Sequence, residues 1–343
     1  MPIAVVPFAA EHLSPAAALL AARHRADQRR VCGLPLTFGD PAVAFPALEA
    51  VLETPATDGW IALADGRLAG FLVGTRQLYA DTDLLAAFYD TRAVMIPFAG
   101  YAADPKMTDP DAIYHALYAE AAARWVEAGF FSHSIRTASD PAGVQPWFSF
   151  GFGQRLASGF RLLDGALSSL GPPRLPTPYT VRRAGPADGD AVHGVIADLA
   201  RFHGDSPIFM PQLAEAIAAE RSEVEDWLAD PAVAYWLAEE AGDAIGVMGM
   251  HPAEAGWVDD GRRPERSVYL FLGHMRAHAR GRGIATALVE SALGWAKEAG
   301  YEACVVDWFT TNPLSSRFWP RRGFVPFAAR LERRVDPRIA WAK

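Results

Sequence analysis

Apolar residues recur at four-residue steps in two segments: Ile113, Leu117 and Ala121, and, 171 residues later, Ile284, Leu288 and Ala292. Each stripe ends on a similar stop, Ala128-Gly129-Phe130 and Ala299-Gly300-Tyr301. The spacing predicts the buried face of an amphipathic helix, closed by a glycine that can take the left-handed C-cap conformation. Downstream, at a shift of 172, Asp140-x-x-Gly143-x-x-Pro146-Trp147-x-x-x-Gly151-Phe152 falls on Asn312-x-x-Ser315-x-x-Phe318-Trp319-x-x-x-Gly323-Phe324. Two blocks in the same order at nearly one offset indicate an internal duplication. Between the copies, four prolines fall within residues 172–178 and cannot continue a helix or a central strand. Residues 166–178 therefore predict a semi-rigid linker between a domain of residues 1–165 and one of residues 179–343.

Both halves show the same order of elements. The second predicts a short strand Thr180–Arg183, helices over 187–203 and 211–228, and strands Val233–Glu239 and Ala244–His251 joined by a Gly-Asp turn. Then follow strand Val268–Met275, helix 283–299, strand Ala303–Phe309, a short helix 313–321 and a last strand from Phe324. The first predicts Ile3–Pro7, two helices, Trp60–Ala64, Arg67–Thr75, Ala93–Phe98, helix 109–128, Ser132–Thr137, helix 141–149 and strand 154–162. A meander followed by a β-α-β unit is an α/β arrangement with a mixed sheet in each half.

Composition narrows the picture. The 343 residues are 51% hydrophobic and 21% charged, too apolar for a disordered chain, and no apolar run is long enough to cross a bilayer. Net charge is -8, and from Tyr179 onward acids outnumber bases 23 to 19, so neither half is a basic arm for nucleic acid. The two cysteines, Cys32 and Cys304, make neither a disulfide framework nor a metal-ligand spacing, so no metal is expected. Without a secretory signal, the chain reads as cytoplasmic.

The segment that carries chemistry is Gly273-His274-Met275-Arg276-Ala277-His278-Ala279-Arg280-Gly281-Arg282-Gly283-Ile284-Ala285, between a strand and a helix. Gly281 and Gly283 let the backbone approach a ligand, and the free N–H groups and positive dipole end of the helix face an anion. Arg280 and Arg282 add charge. The pattern is a phosphate cradle, but neither a Walker loop nor a dinucleotide fingerprint.

With these residues the second half resembles the GNAT superfamily of acetyltransferases. The family's Gln/Arg-x-x-Gly-x-Gly/Ala is present as Arg280-x-x-Gly283-x-Ala285, and its second signature as Asn312…Ser315…Phe318-Trp319…Gly323-Phe324. The resemblance implies two tandem domains of mixed sheet, each with parallel central strands that splay apart and flanking helices. It implies acetyl-CoA as co-substrate and direct transfer of the acetyl group to a primary amine, on a small molecule or a peptide. The backbone of Gly273, His274 and Met275 would hold the pantetheine and thioester. Arg280, Gly281, Arg282, Gly283, Ile284, Ala285 and Thr286 would hold the pyrophosphate. Asn312 would bind the pantetheine arm, with Ser315, Phe318 and Trp319 beside it. The chain would be a monomer whose halves pair like a dimer, or a homodimer.

The proton chemistry has two candidate bases. Asp307 is the only acid in the apolar run Ala303–Phe309, surroundings that raise a carboxyl pKa, and it lies five residues before Asn312. Ribosomal-protein N-acetyltransferases of the family carry their catalytic Glu there. The other reading of Asp307 is a structural residue at a strand end. His274 adjoins the expected thioester site, though alternation can turn it into the core. His251 faces either the acceptor cleft or a loop, and Tyr269 reads as core. Where the family commonly places a Tyr acid stands Trp319, whose indole does not release a proton near neutral pH. Water, Ser315 or Ser316 then serves, or the thiolate leaves unaided.

The first half has lost the cradle. Arg280-Gly281-Arg282-Gly283 corresponds to Asp109-Pro110-Asp111-Ala112, which offers carboxylates and a missing N–H where phosphate would sit. This half is expected not to bind acetyl-CoA. Its aromatics Phe88, Tyr89, Phe98 and Tyr101 are candidates to line an acceptor cleft. A non-catalytic acyl-CoA sensor, or an acyltransferase using a longer acyl chain, is the competing reading.

Overall fold

The computed structural model describes residues 3–163, 175–253 and 266–342, so most of the expected linker lies outside the described residues. The first half runs β1 (Ile3–Pro7), α1 (Leu13–Arg30), α2 (Pro41–Glu53), β2 (Thr57–Ala64), β3 (Arg67–Leu78), β4 (Arg92–Ile96), β5 (Tyr101–Ala103), α3 (Pro110–Glu127), β6 (Ser132–Ala138), α4 (Pro141–Phe148) and β7 (Gly153–Leu162). The second runs β8 (Tyr179–Arg183), α5 (Gly189–Gly204), α6 (Ala214–Ala229), β9 (Ala234–Glu240), β10 (Asp243–Pro252), β11 (Ser267–Met275), α7 (Ile284–Glu298), β12 (Ala303–Phe309), α8 (Ser315–Arg321) and β13 (Val325–Arg334). The β9–β10 turn is Ala241-Gly242, both at positive φ, one residue before the expected Gly-Asp pair.

One mixed sheet carries both halves, in the order β1-β2-β3-β4-β6-β13-β7-β12-β11-β10-β9-β8, with β5 attached to β3. Among the described residues, only β4–β6 and β11–β12 pair in parallel. The halves exchange their last strands. β7, from the first half, pairs with β12 of the second, and β13, from the second, pairs with β6 of the first. Packing follows the exchange. Ala157 of β7 joins Val306, Trp308 and Leu288 in the second core, while Ala329 and Leu331 of β13 join Ile135 and Trp147 in the first. The linker thus divides the chain but not the sheet. A fully buried side chain such as Leu331 contributes about 1.5–3 kcal/mol, so each core depends on residues from the opposite half.

The two parallel pairs set up the site. β11 and β12 pair from Ser267↔Ala303 to Leu270↔Val306 and then part. A bulge places Phe271 of β11 unpaired opposite Gly249 and Met250, and a bulge bends its strand. Beyond it, β11 runs to Met275 with no strand on the side towards β12. In the first half, β4–β6 pairing ends at Ile96↔Ile135, and Pro97, which has no N–H to give, breaks the strand. The chain resumes as β5, so residues 93–98 are not one strand as the alternation suggested.

Candidate functional site

Where β11 and β12 part, a cleft of about 1900 Å3 opens. Its walls include Tyr269 through Met275, Val306 through Phe309, the start of α7, Asn312, and Phe202 and His203 of α5. Residues of the first half and of both exchanged strands complete it, among them Tyr79, Phe88, Tyr89, Arg136, Ser158 and Arg330.

The turn before α7 is built for a ligand. Gly281 and Gly283 sit at φ +79° and +81°, a region that side chains with a Cβ enter at a cost. A Cβ at either would meet no protein atom within 4 Å, so the space beside the turn is open. Gly283 is the N-cap of α7, and no side chain caps the helix. Its first N–H groups and dipole therefore face the cleft.

The two arginines are less free than the sequence implied. Arg280 donates from Nε to the Met275 carbonyl at 3.0 Å and lies over the Phe202 ring. Arg282 donates to the Tyr179 hydroxyl and sits 3.7 Å from Glu240. Backbone N–H groups thus form the inner surface of the cradle, with the guanidinium groups at its rim. Thr286, Ala285 and Ile284 continue from the turn into the helix, with Ile284 buried in the core.

Gly273 is exposed on the open stretch of β11, with Trp319 close beneath it. Asn312 is buried, and its Oδ1 accepts from the N–H of Leu314 at 3.0 Å, which orders the entry to α8. Ser315 donates to the Asn312 carbonyl, and Ser316 contacts the carbonyls of Phe309 and Thr310. Trp319 packs against Phe318 and Phe324 in the second core, and Trp147 is its fully buried counterpart in the first.

Asp307 lies on the floor of the cleft. Its Oδ2 is 3.5 Å from the Tyr269 hydroxyl, and its buried Oδ1 has no hydrogen-bond partner among the described residues. An orphaned carboxylate oxygen facing a cleft is suited to a donor carried by a ligand. His274 lines the same cleft but is 8% exposed, and burial, helped by Arg280 and His203, pushes its pKa down to about 4. His251 is packed among Trp227, Tyr269 and Phe271, with Nδ1 on the Pro252 carbonyl.

In the first half the equivalent space is filled by the chain itself. Arg23 of α1, 8% exposed, donates to the carbonyls of Phe98 and Tyr101 and stacks on both rings. The Tyr114 hydroxyl accepts from the N–H of Ala103 at 3.1 Å. These are the backbone groups that the broken strand would otherwise offer to a ligand. Arg23 pairs with Asp27, which pairs with Arg30, which pairs with Asp140. Counted from the helix starts, Arg23 corresponds to Leu199, and at the repeat offset Tyr114 corresponds to Ala285. Small or apolar residues thus keep the second cleft open. α3 also begins at Pro110, three residues earlier in register than α7, and Asp109 caps it on the N–H of Ala112. Phe98 and Tyr101 are buried around Arg23, whereas Phe88 and Tyr89 do line the cleft. The sequence offered no sign of Arg23, because an arginine in a helix that also carries Arg25, Arg29 and Arg30 reads as solvated.

Comparison with known proteins bears on this architecture. The family model described as "Acetyltransferase (GNAT) family" matches residues 205–324. The matched segment contains the open stretch of β11, the turn before α7, Asp307 and the Asn312 block. Human N-acetyltransferase 8B is 31% identical over 93 residues, which are 27% of this chain and 39% of that protein. Human N-acetyltransferase 8 is 28% identical over 100 residues, 29% of this chain and 42% of that one. The chain thus spans about two fifths of the length of these relatives. At the level of fold the likeness extends beyond the matched segment to both halves. A GCN5-related N-acetyltransferase from Sphaerobacter thermophilus aligns over 97% of this chain and 95% of its own, with TM-score 0.57 and 15% identity. A tandem GNAT protein from the clavulanic acid biosynthesis pathway aligns over 97% and 98%, with TM-score 0.52 and 12% identity. The tandem GNAT fold is shared; the low identities carry nothing about substrate.

Proposed function

We propose that this protein is an acetyl-CoA-dependent N-acetyltransferase acting on a primary amine, with a single active cleft in its C-terminal half. The observation that carries the reading is a juxtaposition in one cleft. An uncapped helix start and an unpaired strand edge lie beside a carboxylate whose Oδ1 has no partner among the described residues. Bound acetyl-CoA would supply a thioester that an amine attacks, with CoA leaving as a thiol. The turn Arg280–Thr286 would hold its pyrophosphate through backbone N–H groups. The free edge of Gly273–Met275 would take its amide arm as an added strand. Asp307 would take a proton from the acceptor ammonium, so that the nitrogen lone pair is available. The N–C bond forms as the C–S bond breaks, the nitrogen loses two protons in all, and one proton ends on sulfur. Ser315 and Ser316 are already directed at backbone carbonyls, which favours water as the proton donor.

Thiol release from acetyl-CoA over a panel of amines and aminoglycosides tests this reading. Amine-dependent release is expected; tight CoA binding without release for any amine would make the protein a sensor instead. Asp307 is preferred over His274 because a buried imidazole with a pKa of about 4 is a weak acceptor of protons from an ammonium. His274→Asn is accordingly expected to lower kcat less than about tenfold. A larger loss with unchanged CoA affinity would assign the base to His274.

A further inference from the structure

The duplication places corresponding residues of the two halves in one cleft, with opposite chemistry. At the repeat offsets, Asp307 corresponds to Arg136 and Ser158 to Arg330. Asp307 and Ser158 are direct cross-strand partners on β12 and β7, and Arg136 and Arg330 are direct partners on β6 and β13. Because β7 and β13 are neighbours, both pairs lie on the same continuous floor, and all four residues line the cleft. Two strand spacings, about 10 Å, separate the strand of Asp307 from that of Arg330.

Two arginines directly opposite each other in a ladder repel, and such a pair is costly unless something anionic lies between them. The surroundings of Arg330 compensate its charge only in part. Arg330 is 6% exposed, contacts Glu332 at 3.1 Å and donates to the Phe88 carbonyl. Glu332 is itself shared with Arg155 at 2.8 Å. The Arg330 guanidinium lies over the Tyr89 ring, and Arg136 contacts the Tyr89 hydroxyl at 3.4 Å. Burial would raise the Tyr89 phenol pKa, yet Arg330 and Arg136 hold it below its usual value, a sign of the positive potential there. The buried Nε of Arg330 finds no acceptor among the described residues. A buried guanidinium with an unused donor, in the wall of a substrate cleft, is suited to a planar or phosphate-like anion.

Building on the proposed acetyl transfer, we propose that the acceptor is an amine that also carries an anionic group, a carboxylate or a phosphate, received by Arg330 and Arg136 while its nitrogen faces Asp307. The first half would thus supply part of the specificity of the other through Arg136, with Arg330 contributed by the exchanged strand β13. Glu220 and Glu223 of α6 line the same cleft and mark the opposite possibility, a polycationic acceptor.

Matched acceptors test this. L-phenylalanine is compared with phenethylamine, and O-phosphoethanolamine with ethanolamine, by kcat/KM for thiol release. The anionic member is expected to be preferred by about tenfold or more in at least one pair. Arg136→Gln and Arg330→Met should each erase most of that preference, and Arg330→Lys should restore it in part. CoA affinity, measured by calorimetry, should stay unchanged and shows that the variants fold. As a turnover-independent arm, 3-phenylpropionate and inorganic phosphate are titrated into the CoA-loaded protein, with at least tenfold weaker binding expected in Arg136→Gln. Which of the two binds identifies the anion. Preference for the neutral or polycationic amine, or no binding of either anion by CoA-loaded protein, overturns the inference while leaving acetyl transfer standing. Absence of CoA binding overturns the function proposed above.

Discussion

Asp307→Asn is expected to lower kcat by about a hundredfold or more, with the affinity for CoA unchanged. The change keeps the side chain's size and its contact with Tyr269, but removes the charge that accepts a proton. The orphaned Oδ1 makes the position sensitive. A carboxylate oxygen buried without a donor is less stable than a partnered one, so the fold retains Oδ1 there at a cost. Asn at this site should therefore leave thermal stability equal to or above that of the parent. Steady-state kinetics, calorimetry with CoA and a thermal melt separate the effects. A variant that turns over normally would make Asp307 structural and move the search for a base to His274 or to solvent.

The second large effect is expected from Gly283→Asp. The residue has φ +81° with open space around its Cα, so the new side chain meets ligand and not protein. Asp tolerates this conformation better than most residues, which limits the damage to the fold. Its carboxylate would cap α7 as Asp109 caps α3, neutralising the helix dipole and repelling pyrophosphate. CoA affinity is expected to fall about a hundredfold or more, in parallel with kcat/KM at low acetyl-CoA. Calorimetry on the parent should give one CoA per chain. Any site that survives in Gly283→Asp at micromolar affinity would place CoA in the first half and contradict the reading of Arg23 and Tyr114 as its occupants.

Much of the site was legible because its signals are local. The stripe from Ile284 and the paired glycines before it specify a helix start without help from the rest of the fold. Asp109 and Pro110 specify the altered start of α3 in the same way. What escaped the sequence depends on distant partners. The alternation of 154–162 predicts a strand but not its neighbours, and Ala157 and Ala329, equivalent in the repeat, suit either core. Nothing local could show that the two strands change places. Pro97 splits a strand whose apolar run looks continuous, because Phe98 to Tyr101 are apolar for a different purpose, to surround Arg23. Arg136 and Arg330 stand far apart in the chain and become partners only through that exchange.

The exchanged strands also constrain how this gene can change. In a simple tandem duplicate, an inactive copy can be deleted and the active one survives. Here, losing the first copy would remove β7 from beside β12, and with it the strand that backs Asp307. Recombination between the repeats downstream of β6 would keep β6 beside β13, its present neighbour, but would discard β11 and β12 and the cleft between them. The first copy is therefore needed for the sheet of the second, whatever it binds, and its residues face a cleft it cannot leave.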